Sequence, residues 1–137
     1  MSHGQPGWKA PDLHGVYTDT VIEHATNPRN VGVLVEANAV GTDGNPVYGN
    51  LVRLSLRVED GRVQAARFKA FGCSATIAAA SMTTVLATGI ALRQARLLDA
   101  VAIETALGGL PAEKRYCAAV AATALHRALD ECERESD

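Results

Sequence analysis

Residues Val52-Arg53-Leu54-Ser55-Leu56-Arg57-Val58 alternate between apolar and polar without a break. A period of two pleats a chain into a strand whose two faces meet different surroundings. Val52, Leu54, Leu56 and Val58 are therefore expected on a buried face, with Arg53, Ser55 and Arg57 towards water. Glu59-Asp60-Gly61-Arg62 follows, and Asp-Gly readily adopts the positive φ angles of a tight hairpin. The return strand is expected over 63–71, and 41–47 is a weaker candidate for a first strand. A sheet with one apolar face needs a second layer to cover it.

The remaining chain reads as that layer. A short helix is expected over 16–26, ended by Asn27-Pro28, because a residue before proline is pushed out of the helical region. Beyond Cys73 an alanine-rich helix is expected over 75–88, with Ile77, Met82, Val85 and Leu86 available to pack and Gly89 as its cap. Shorter helices over 91–98 and 99–107 precede the breaker Gly108-Gly109-Leu110-Pro111, and a last helix runs over 112–133. The expected fold class is α+β, a three-stranded antiparallel sheet packed against a layer of helices. Residues 1–15 are expected to form a flexible arm and 16–134 a single domain.

A chain of 137 residues with 47% apolar and 20% charged side chains can build one independent core. Its formal net charge of −2, without a Lys/Arg cluster, argues against nucleic acid as a partner. No stretch reaches the ~18 apolar residues of a membrane span, and the polar amino terminus has no signal-peptide core. Three cysteines without an export signal point to a reducing compartment, and the cytoplasm is the expected location. There is no G-x-S-x-G, phosphate-binding loop, H-E-x-x-H or dinucleotide fingerprint, so an enzyme is not expected.

The chemistry rests on two cysteines. Cys73 stands between a strand and a helix, where amide N–H groups and the helix dipole lower a thiol pKa, and Cys117 lies early in the last helix. Two such thiolates suit zinc or an iron–sulfur centre. With no C-x-x-C pair, the spacing alone is a weak signal and favours two inert buried cysteines. Cys132 lies roughly 22 Å further along the same helix at 1.5 Å per residue, as a surface or packing thiol. His24 is expected to make structural hydrogen bonds, and His3, His14 and His126 to be solvated.

Several segments, in order, resemble one family. They are Glu23-His24 through Asn27-Pro28-Arg29-Asn30-Val31-Gly32, then Gly44-Asn45-Pro46-Val47-Tyr48-Gly49-Asn50, then Phe68-Lys69-Ala70-Phe71-Gly72-Cys73, then Lys114-Arg115-Tyr116-Cys117. They are similar to the iron–sulfur scaffold family of IscU and the amino-terminal domain of NifU, whose pattern reads N-P-x-C-G-D, F-G-C and K-x-H-C. The resemblance implies an iron–sulfur cluster assembly scaffold or carrier, with Cys73 and Cys117 as the remaining ligands and Lys114 adjacent. It also implies a [2Fe–2S] cluster, or zinc, as what the site holds.

Tyr48 stands at the family's first cysteine, Asn50 at its aspartate and Tyr116 at its histidine. That aspartate is associated in the family with a cluster labile enough to pass on, so Asn50 implies retention. A cluster-free homologue, docking as a regulatory module to a cysteine desulfurase or another scaffold, is the alternative. Implied partners are a cysteine desulfurase, apoprotein acceptors and a second copy in a homodimer that would offer four thiolates. Leu110-Pro111-Ala112-Glu113-Lys114 resembles the family's loop for an Hsp70-type chaperone but departs from it at Ala112 and Glu113.

Overall fold

The computed structural model describes residues 15–136; His3, His14 and most of the expected arm lie outside them. Strands β1 (Ala39–Asn45), β2 (Asn50–Glu59) and β3 (Arg62–Phe71) form one antiparallel sheet in the order β1-β2-β3. The turn between β2 and β3 has φ of 55° at Asp60 and 71° at Gly61, the left-handed pair that makes a two-residue hairpin follow the strand twist. Val52, Leu54, Leu56 and Val58 are buried and Arg53 is exposed, as the alternation requires. Ser55 departs from it. It is buried although it faces away from the core, because the register sets this small side chain between Val40 of β1 and Arg67 of β3.

Helix α1 (Asp19–Thr26) starts three residues later than expected, since Thr18 caps it by accepting from the amide of Val21. It ends at Asn27, before Pro28. The next segment joins the sheet, with the amide of Gly32 donating to Phe68 and that of Phe68 to Asn30. His24 is buried and its Nδ1 lies 2.8 Å from the Ser81 hydroxyl. His126 is not simply solvated: its Nε2 meets the carbonyl of Leu98 at 2.8 Å.

Helix α2 (Ser74–Ala87) is the centre of the second layer. Ala75, Ala78, Ala79, Ala80 and Ala87 are fully buried, whereas Val85, expected to pack, is 43% exposed. Alanine lets α2 lie between the sheet and the other helices at close range, and such an all-round apolar helix shows no amphipathic period. Short helices α3 (Leu92–Arg96) and α4 (Ala100–Ala106) lead to a 3₁₀ turn at Ala112–Lys114, after which α5 (Arg115–Ser136) begins. One face of α5 packs Ala124, Leu125, Ala128 and Leu129 against the sheet, with Cys132 at the edge of this cluster. Gly41 permits that contact: a Cβ there would collide with the backbone of Ala124 and Ala128.

Candidate metal centre

The end of the sheet where β3 stops is where α2 and α5 both begin. Gly72, at φ 152°, turns the chain out of β3, and a Cβ at this position would lie 2.7 Å from the Thr76 hydroxyl. Cys73 is thereby left as the residue that opens α2, in an extended conformation and half-buried. Cys117 is the third residue of α5 and is fully buried, packed with Tyr17, Ala75 and Ala118. The two sulfurs lie 4.0 Å apart.

The surroundings make the pair unequal. Burial opposes ionisation of Cys73, but the amides of Thr76 and Ala75, the Thr76 hydroxyl and the Lys114 ammonium outweigh it and bring this thiol down to about 7. Lys114 Nζ lies 3.6 Å from the Cys73 sulfur, and the charge of that sulfur raises the Lys114 pKa in turn. At Cys117 burial prevails and pushes the thiol up, although Thr76 donates a hydrogen bond to it at 3.4 Å. One thiol is thus poised for ionisation near neutrality, while burial favours the protonated form of the other.

The spacing of the sulfurs suits a shared metal. Two thiolates at ~2.3 Å from one tetrahedral ion lie about 3.8 Å apart. A metal held here would receive two sulfur donors from the chain, and no cluster of three or more His, Cys, Asp or Glu side chains exists among the described residues. The donor chemistry therefore fits a thiophilic centre, but half of a four-ligand set.

The other residues singled out from the sequence fall around this end of the sheet. Tyr116 precedes Cys117 and is 46% exposed; the charge of Cys117 is the main influence raising its phenol pKa. Asn50 opens β2 and is buried, beside Leu51, which pairs with Phe71 near the end of β3. Tyr48 ends a 3₁₀ turn, Pro46–Tyr48, between β1 and β2, and is 81% exposed. Neither Tyr48 nor Asn50 hydrogen-bonds to either thiol. The sequence reading missed Thr76, which bridges both sulfurs, and Tyr17, whose phenol is pushed up first by burial and then by the charge of Cys73. Thr76 carried a readable signal, since it stands three residues after an expected helix-opening cysteine. Tyr17 carried none.

Residues 16–136 match the model of the NifU-like N terminal domain. The chain belongs to this family. Its relatives include iron-sulfur cluster assembly scaffold protein IscU 1 of Archaeoglobus fulgidus, 45% identical over 114 residues, which cover 83% of this chain and 74% of the relative. The IscU scaffold of Azotobacter vinelandii is 38% identical over 82% of this chain and 91% of its own length. Nitrogen fixation protein NifU of Cereibacter sphaeroides is 52% identical over 75% of this chain, a region that makes up 42% of that relative. The amino-terminal NifU-like domain from Brucella abortus has the same fold, with a TM-score of 0.69 over 90% of this chain and 98% of that one at 20% identity. None of the described helices of this member of the NifU-like family is long and apolar enough to cross a membrane.

Proposed function

We propose that this chain is a scaffold or carrier of iron–sulfur cluster assembly in which Cys73 and Cys117 are the protein ligands to the cargo. The 4.0 Å approach of the two sulfurs carries this reading. Cys73 offers a thiolate near neutral pH, and Thr76 and Lys114 stabilise negative charge on the sulfurs. Cys117 ionises on binding, so loading releases a proton. The cargo is a [2Fe–2S] cluster, with zinc as the alternative occupant. The chain acts as a binding protein rather than an enzyme, in the cytoplasm, on a domain of residues 16–134. Sulfur arrives from a cysteine desulfurase, and the cluster leaves to apoprotein acceptors.

Metal analysis of the purified protein, with its visible spectrum, tests the proposal. Bound iron and sulfide together with the visible absorption of a thiolate-ligated cluster support it. A colourless protein free of iron and zinc would support the second reading, a cluster-free docking module, which the 81% exposure of Tyr48 at a family ligand position favours.

A further inference from the structure

The two thiols at the end of the sheet also face each other, which gives them a chemistry apart from any cargo. We propose that hydrogen peroxide, or another small hydroperoxide, joins Cys73 and Cys117 in a reversible disulfide within one chain. The proposal does not depend on the carrier reading, because it needs the two thiols and no metal.

Proximity is the first ground. A disulfide bond spans about 2 Å, so the sulfurs, now 4.0 Å apart, must close by roughly the same distance. Cys73 precedes Ser74, the first residue of α2, on extended backbone. Its sulfur can therefore turn about the Cα–Cβ bond between staggered positions without striking an earlier helical turn. The Thr76 hydroxyl lies 3.7 Å from the Cys73 sulfur and 3.4 Å from that of Cys117, so one side chain touches both.

The choice of partner is the second. Tyr48 stands where the family has a cysteine, which leaves two thiols at this end of the sheet. Cys132 packs at the edge of the sheet cluster, further along α5 than Cys117 by roughly 22 Å at 1.5 Å per residue. Cys73 thus has one thiol within reach.

Access fixes the order of events. Cys73 is half-buried and Cys117 fully buried, so the peroxide meets Cys73 first. The Cys73 sulfur attacks one peroxide oxygen, the O–O bond breaks, and a sulfenic acid forms as one water leaves. The Cys117 sulfur then attacks the Cys73 sulfur and the S–O bond breaks. The departing hydroxide takes the Cys117 proton and leaves as a second water. Two thiols have lost two electrons and two protons, and the peroxide has been reduced to two waters. Lys114 Nζ, 3.6 Å from the Cys73 sulfur, stands beside the atom from which hydroxide departs. A sulfenic acid without such a neighbour is open to a second peroxide and to irreversible sulfinic acid. Cys117 turns that lesion into a bond that a dithiol reopens. While the bond lasts, neither sulfur is a thiolate donor, and in a reducing compartment it is transient.

The test treats the reduced, metal-free, full-length protein with hydrogen peroxide and reads intact mass, thiols after denaturation and a non-reducing peptide map. The expected result is a loss of two hydrogens per chain and a fall from three titratable thiols to one. The map should show one linked pair, Cys73 to Cys117, and dithiothreitol should reverse all three changes. Cys132→Ser should close the same bond, whereas Cys117→Ala should carry Cys73 to sulfinic acid. Cys73 found as sulfinic acid beside an unchanged Cys117 thiol in the native chain would overturn the proposal. So would a disulfide through Cys132, a disulfide between two chains, or three unchanged thiols at a peroxide level that oxidises cysteine in solution. A Cys117→Ala chain that still loses two hydrogens would overturn it as well. Metal content of the reduced protein, measured without peroxide, decides the carrier reading separately.

Discussion

The sulfurs of Cys73 and Cys117 lie 4.0 Å apart although 44 residues separate them. Helices α2 and α5 bring them together by starting at the same end of the sheet, and Thr76 meets both sulfurs from the first turn of α2. Because only Cys73 combines partial exposure with Lys114 and two amides, the two thiols differ in reactivity.

Iodoacetamide should therefore label Cys73 before Cys117 in the metal-free protein. The rate at Cys73 should rise through a midpoint near about 7, and Lys114→Met should move that midpoint upward, because a stabilising positive charge is lost. Peptide mass spectrometry across a pH series reads each site. Equal labelling of both thiols with one shared midpoint would contradict the asymmetry.

Gly41→Ala should destabilise the fold by about 3 kcal/mol, because the added methyl meets the α5 backbone at Ala124 and Ala128, which cannot swing aside. A urea melt measures it. A loss below ~1 kcal/mol would show that α5 can shift off β1.

The buried His24 predicts a pH effect remote from the thiols. His24 Nδ1 lies 2.8 Å from the Ser81 hydroxyl, which also accepts from the amide of Arg29 at 2.9 Å. Burial first, and then the charge of Arg29, lowers the His24 pKa, with Glu23 opposing. An imidazole whose folded pKa lies below its unfolded value of 6.5 binds protons more readily when unfolded. Stability should thus hold above 6.5 and fall as the pH drops below it. Urea midpoints at two pH values on either side, for the native chain and His24→Gln, check this: the native chain should lose more stability in acid than the variant.

Much of this fold is legible where one side of an element faces the core and the other faces water. Val52 to Val58 shows that contrast, and Asp60-Gly61 names its own turn. The signal fails where both sides are covered. Ser55 looked solvent-facing because alternation says nothing of the neighbours Val40 and Arg67, and the alanines of α2 carry no period from which Val85 could be placed outside. The start of α5 at Arg115 was read three residues early because the 3₁₀ turn at Ala112–Lys114 uses the same residue types as a helix. At the site, Cys73 and Cys117 were found through ordered motifs rather than spacing. Thr76 carries a local signal in its place three residues after Cys73, whereas Tyr17 enters the site through packing between residues far apart in the chain, which no local pattern records.

Restoring the family's ligands should strengthen binding. Tyr48→Cys with Asn50→Asp and Tyr116→His adds three donors at the end of the sheet where Cys73 and Cys117 already meet. The triple variant should hold iron and sulfide with at least tenfold higher affinity than the native chain in a chelator competition. No gain would mean that the turn at Pro46–Tyr48 lies too far from the thiols to deliver a ligand.

Anaerobic reconstitution with iron and sulfide tests the central claim most directly, with bound iron, bound sulfide and the visible spectrum measured on the native chain and three single variants. Cys73→Ser and Cys117→Ser should each abolish cluster binding, with circular dichroism confirming that the fold is kept. Cys132→Ser, altering a thiol that packs at the sheet edge instead, should bind as the native chain does. Equal iron and sulfide in all four proteins, or none in the native chain, would contradict it.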